Sequence, residues 1–312
     1  MVDMNNTEQP QQVAYQATRG TNRRSRNTVF VILFVIAAAI TVVALIAYFA
    51  LVSYFDSGVA MGDAVAVVDI QGEIFFDRSK LHEIESHRKN DKVKAVVLFI
   101  NSPGGGVAAS QALHRAILDL RLEKPVVAFL ASVAASGGYY AACAADSIIA
   151  TEGTLTGSIG VIAAFLRTEE LYHKIGLDVT VIKSGKYKDV GSPYREMTQT
   201  EKAYMGRLLD RVYDQFVTAV AETRDLPLER AYELAEGRLY TGDEAMEVGL
   251  VDRLGSYEDA VLMAAKMGGI EGEPRVVKKR RRRDLWERIW GETAAALAKN
   301  RAERVSLKYI IP

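Results

Sequence analysis

The sequence predicts an α/β domain with a parallel β-sheet and flanking helices, preceded by one N-terminal transmembrane helix. Three observations predict it: short β-branched runs that are mostly apolar, helix-length segments between them, and one uncharged stretch of membrane-spanning length. Near-continuous apolar strands are what a sheet buried on both faces requires, and helical segments between them imply crossover connections. At 49% hydrophobic and 25% charged, the 312-residue chain can bury a sizeable core and is not disordered. Lys+Arg and Asp+Glu are both 39, so global charge argues neither for nor against a nucleic-acid partner; none is expected because the body reads as extracytoplasmic.

The elements follow in order. Residues 1–27 form a polar, glutamine-rich tail ending in "RGTNRRSRN". Residues 28–52 carry no charge and are long enough to cross a bilayer as a helix, too long for the apolar core of a cleaved signal peptide. Arg19, Arg23, Arg24 and Arg26 precede this span, which places the tail in the cytoplasm and the body outside it; Tyr48, Phe49, Tyr54 and Phe55 fit an interfacial aromatic belt. A stalk, 53–63, leads to the body, 64–270. There "AVAVVDI" (64–70), "AVVLFIN" (95–101), "PVVAFLA" (125–131), "SIIAT" (147–151) and "LDVTVIK" (177–183) read as strands. Helices are expected over 108–123, where Leu113, Ile117 and Leu120 share a face, over 167–176, closed by glycine, and through a long region at 198–236. The remainder, 271–312, is a basic, amphipathic extension with Trp286, Ile289 and Trp290 and a strand-like end, "SLKYIIP". Its basic run reads first as a solvated strand edge or helix start, and second as a contact for anionic lipid.

Two loops could carry chemistry. "NSPGGG" (101–106) follows a strand and lets the backbone turn sharply and aim N–H groups at one spot. It has neither the Lys-Ser/Thr ending of a P-loop nor dinucleotide spacing, so no nucleotide, other cofactor or metal is expected. Ser136, in "SVAASGGYYAACAA", sits where a strand turns into a helix. There it is either an ordinary N-cap or an acyl-transfer nucleophile among unpaired N–H groups. A nucleophilic serine needs a base. His82 and His87 lie on a charged helix, His114 follows the glycine loop, and His173 is the only reasonable triad candidate, with no carboxylate at a telling spacing. A lysine can serve if it is desolvated and neutral, and Lys183, Lys186 and Lys188 all lie in a glycine-broken loop. Ser158, in "TLTGSIG", could hold such an amine. The single cysteine, Cys143, reads as a buried, inert thiol.

"NSPGGG", "SVAASGGYYAACAAD", "TLTGSIGVI", "SGKYKDVGSPYREMT" and "GRLYTGDEAMEVGLVDRLG", in this order behind an anchor, resemble the short-form signal peptide peptidase A family. These are bacterial membrane-anchored serine proteases with the crotonase-like fold of Clp peptidase. The resemblance covers roughly residues 64–265. It implies Ser136 as nucleophile and Lys188 as base, because the family's lysine immediately precedes the aspartate of "KYKD". It also implies oxyanion N–H groups from Gly105 and Gly137, with Ser158 hydrogen-bonded to the lysine amine. Further implied are a ring-shaped homo-oligomer sharing the dyad between subunits, peptide substrates such as remnant signal peptides or misfolded membrane and secreted proteins, and a place in the bacterial inner membrane with the catalytic domain outside the cytoplasm. Three other readings remain: a Clp-like Ser–His–Asp peptidase through His173, a crotonase-type acyl-CoA enzyme, and a non-catalytic membrane scaffold on the same fold.

Overall fold

A computed structural model describes residues 29–49, 62–278 and 308–310, as two compact units within 1–61 and 62–312. The polar tail, most of the stalk and the basic run with its tryptophans lie outside the described residues. In the first unit, helix α1 (Val29–Phe49) has 21 residues and a mean hydropathy of 3.3. At 1.5 Å per residue it is about 32 Å long, enough for a hydrocarbon core about 30 Å thick.

The second unit is built on one mostly parallel sheet. Its strands are β1 (Ala64–Gln71), β2 (Val93–Ser102), β4 (Val126–Ala135), β5 (Ser147–Ala150), β6 (Leu155–Gly157), β7 (Leu239–Tyr240), β8 (Arg253–Leu254) and β9 (Arg275–Lys278), while the short β3 (Gly104–Gly106) stands apart from it. The path runs β7-β6-β4-β2-β1-β9, with β5 on β4 and β8 on β5. Every pairing is parallel except β6 with β7. Because successive side chains point to opposite faces, Val65 and Val67 enter one core cluster and Ala66 and Val68 the other. That two-sided burial is why these strands read as continuous apolar runs. β9 shows that the sheet continues past residue 270, at its edge beside β1.

Helix α2 (Arg78–Arg88) follows β1, and helix α3 (Val107–Arg121) buries Leu113, Ile117 and Leu120 as its spacing predicts. The short α4 (Gly137–Ala142) is buried along its whole length. On the other face, α9 (Tyr257–Met267) sets Ala260, Val261, Ala264 and Ala265 against Val65, Val97 and Val127. Small residues at those positions let the helix approach the sheet closely.

Two expectations are corrected. Residues 177–183 form no strand and are exposed throughout; they alternate apolar and polar residues, but no sheet edge pairs with them. The long helical region divides into α6 (Gln199–Thr223), closed by Asp225 at φ 51°, and α7 (Leu228–Leu234). Pro227 has no N–H to continue a helix and disfavours helical backbone just before it. Two further helices, α5 (Glu169–Lys174), closed by Gly176 at φ 74°, and α8 (Gly242–Glu247), complete the unit.

The α4 segment is anchored by Tyr139, fully buried, whose hydroxyl donates to the Leu250 carbonyl at 2.8 Å. Burial also pushes this phenol well above its ordinary pKa, so it stays a donor. Tyr139→Phe leaves a buried acceptor unpaired and is expected to lower stability by about 1–2 kcal/mol, read from urea unfolding of the full chain in detergent.

Candidate active site

In parallel sheets, sites form beyond the carboxyl ends of strands. Here three neighbouring strands deliver the predicted residues to such an end: β2 runs into the glycine loop, β4 into Ser136 and β6 into Ser158. Thr156 ties β6 to β4 by donating to the Ala134 carbonyl at 2.6 Å, and Thr154 donates to Ala131 at 2.7 Å.

Ser136 occupies the N-cap position of α4, yet its hydroxyl makes no capping hydrogen bond. Its backbone is at φ 55°, ψ −120°, where an ordinary N-cap would be extended. A non-glycine residue held there costs about 1–3 kcal/mol and persists only where the surroundings over-determine it. They do so here: the Ser136 amide donates to the Gly157 carbonyl at 2.8 Å, and its carbonyl accepts from the Tyr140 amide at 2.8 Å. Strained strand-to-helix turns of this type present a nucleophile at the rim of a sheet. Ser158 also has positive φ, 49°, and its amide donates to Arg238. Of three non-glycine residues with positive φ among the described residues, two are therefore predicted site residues.

The glycine loop is equally constrained. Ile74 donates to the Gly104 carbonyl at 2.8 Å and accepts from the Gly106 amide at 2.9 Å. Groups alternate along an extended strand, so the N–H and C=O of Gly105 face the opposite edge. Along that edge runs β10 (Lys308–Ile310), antiparallel, with Tyr309 opposite Gly105. Ser102, fully buried, braces the turn, its hydroxyl bonded to the Gly72 carbonyl and the Gly104 amide at 2.6 and 3.1 Å. A Cβ on Gly138 would lie 2.8 Å from the Ser102 carbonyl, so the start of α4 packs directly on this turn.

The lysines lie elsewhere. Lys183, Lys186 and Lys188 are exposed, on an arm after β6, and no hydrogen bond joins Lys188 to Ser136 or Ser158 among the described residues. His173 does have a carboxylate neighbour, Asp178, 3.1 Å from its Nδ1, a contact invisible in the sequence because a glycine turn creates it. Both side chains are exposed. His114 is buried against the Tyr140 ring, and desolvation lowers it to about 4, so it stays neutral. Sequence reasoning missed the ionic cluster beside Lys188. Arg195 bonds Asp189 at 2.8 and 2.7 Å and Glu201 at 2.8 and 2.6 Å. The only legible part was the capping signal of Thr198 and Glu201 at the start of α6.

The model of peptidase family S49 matches residues 119–271, a span holding Ser136, Ser158 and Lys188. A protease inferred in Methanocaldococcus jannaschii is 38% identical over 232 residues, 70% of this chain and 74% of that one. The chain belongs to peptidase family S49. A signal peptide peptidase inferred in Enterococcus faecium is 38% identical over 58% of this chain and 53% of its own. Protease 4 of Salmonella typhi is 32% identical over 70% of this chain, which spans 38% of that relative's length. As an S49 member the protein is a serine peptidase, built on the mostly parallel α/β sheet described above, and the sequence resemblance stands.

Two outcomes follow from this geometry. A Cβ on Gly105 would lie 2.2 Å from the Ile74 carbonyl oxygen. Gly105→Ala must therefore displace the loop, and is expected to lower stability by about 1–3 kcal/mol, the scale for overpacking a filled site, read from urea unfolding. Cys143 is fully buried and its thiol is pushed up to about 11 by burial. Iodoacetamide at pH 8 should leave it unmodified in the folded chain and alkylate it in urea, as mass spectrometry would read.

Proposed function

We propose that the protein is a membrane-bound serine endopeptidase in which Ser136 is the nucleophile and Lys188 the general base. The observation that carries this reading is the Ser136 turn: a strained backbone, held from both sides, around a hydroxyl that does no capping. Neutral Lys188 takes the hydroxyl proton as Oγ attacks the scissile carbonyl. The oxyanion forms on the Gly105 and Gly137 N–H groups, and the lysine ammonium then protonates the leaving amine. Water, deprotonated by the same amine, cleaves the acyl-enzyme and restores both residues. Ser158 orients the amine throughout.

The edge of β3 supports a peptide substrate, since it already takes an extended segment, β10, by antiparallel pairing. Remnant signal peptides are the proposed substrates, in keeping with the name of the Enterococcus relative, together with misfolded membrane or secreted proteins. The arginines before α1 support a cytoplasmic tail and an extracytoplasmic body in the bacterial inner membrane.

Within one chain Ser136 is 1% exposed and Lys188 lies on the outer arm. The proposal therefore has the two meet between neighbouring subunits of a ring. The arm's uncovered apolar residues support this: Leu166 is 78% exposed and Ile182 95%.

Ser136→Ala and Lys188→Ala should each reduce cleavage of a signal-peptide substrate by about 10³-fold or more, with Lys186→Ala near wild type. Co-expressing the two inactive variants should restore roughly a quarter of wild-type activity, because random mixing completes one shared site in four. Wild-type rates in both single variants would reject the dyad. The His173–Asp178 contact favours a second reading, a Ser–His–Asp peptidase. His173→Ala as inactive as Ser136→Ala, with Lys188→Ala unaffected, would select it.

A further inference from the structure

Lys188 lies between two residues that are each tied down. On one side the Tyr187 ring stacks on Tyr204 of α6 with centroids 4.9 Å apart. On the other side Asp189 is spanned by two cations: the Arg195 fork reaches both of its oxygens, and Lys183 bonds Oδ1. The same guanidinium grips Glu201, which is 3% exposed and caps the Thr198 amide at 2.9 Å. Two carboxylates that would otherwise repel are thus joined through one planar cation, as suits a five-donor guanidinium better than an ammonium. The pairing holds Asp189 far below the usual carboxylate range and Glu201 at about 2, in both cases chiefly through hydrogen bonds from Arg195. Both therefore stay ionised, and the clamp stays closed, at any pH where a peptidase works.

Most of the neighbouring charges are paired as well. Glu196 is shared between Lys202 of α6, at 3.0 Å, and Arg167, at 3.5 Å. Lys186 lies over the Tyr187 ring and Arg207 over Tyr204. From α5, packed here through Tyr172 on Tyr194, come Glu169, Glu170 beside Arg167, His173 with Asp178, and Lys174. Among the described residues, Lys188 has no ion-pair partner, although a carboxylate is its immediate neighbour in the chain.

We propose that Arg195 is a positioning residue for Lys188: by holding Asp189 against the start of α6, it keeps that carboxylate from pairing with the Lys188 amine. A base must be neutral to accept a proton, and a free carboxylate one residue away would favour the ammonium instead. Arg195 touches neither substrate nor reacting atoms. It acts through the charge it occupies, whichever chain supplies the serine. This inference rests on Lys188 being the base.

The test is the pH dependence of kcat/KM for a fluorogenic peptide, measured on the full chain in detergent. The acid limb of that profile reports the essential base of the free enzyme. Arg195→Gln should move the limb up by about one pH unit or more, so activity falls about tenfold on the acid side and recovers at high pH. Asp189→Asn, and the double variant Arg195→Gln/Asp189→Asn, should return the limb to the wild-type position, because no carboxylate is left to release. A uniform loss at every pH with the limb unmoved, or a double variant shifted as far as Arg195→Gln alone, overturns the proposal. Should Arg195→Gln fail to fold, Arg195→Lys keeps the charge and loses the fork. Its limb must then lie above that of Arg195→Lys/Asp189→Asn, and coincidence of the two overturns the proposal equally. Lys188→Ala separates the underlying reading: if it cleaves at the wild-type rate, the base assignment fails, whereas an inactive Lys188→Ala with an unmoved Arg195→Gln limb rejects the clamp alone.

Discussion

The hydrogen bond from the Ser136 amide to the Gly157 carbonyl is the constraint on which the rest of the site depends. It closes the gap between the ends of β4 and β6 just where β4 must turn into α4. The serine backbone is thereby fixed in a conformation that an unconstrained residue would leave. Everything nearby reinforces that one turn. Thr154 and Thr156 lock β6 to β4, Tyr139 pins α4 to Leu250, and Ser102 fixes the neighbouring glycine loop. The core beneath is closely filled, with Ala134, Leu130, Tyr139 and Phe216 all shut from solvent, so the strain has no soft direction in which to relax.

The arm after β6 is built on the opposite principle. Its order comes from ion pairs and stacked tyrosines rather than from a buried core, and aliphatic side chains such as Leu166, Leu177 and Ile182 stay uncovered. A rigid platform holding a serine and an apolar-faced arm holding a lysine make sense together if the arm finishes its packing on another surface. The difference also explains why the alternating run 177–183 misleads: alternation specifies a strand only where a free sheet edge lies opposite it.

Legibility tracked the range of the interaction involved. Strands β1, β2, β4 and β5 and helix α3 were readable because their period is a local property, and both faces of the sheet are covered. The break between α6 and α7 could have been read from Pro227, but the apolar periodicity on either side of it is stronger. Ser136 was legible as a residue at a strand–helix boundary and illegible as strained, since its φ is imposed by a partner 21 positions away. The Arg195 clamp was hidden for the same reason, apart from the Thr198–Glu201 capping pair.

The sequence by itself determined the membrane-length apolar segment, the alternation of strand and helix, the glycine loop and the serine at the turn, because each depends on neighbours within a few residues. Only the tertiary structure decided which strand ends stand side by side, that Tyr309 lies across Gly105, and that Asp189 is given to Arg195 and not to Lys188. Those outcomes follow from sheet order and register, which are settled by packing the whole core and not by any one segment of the chain.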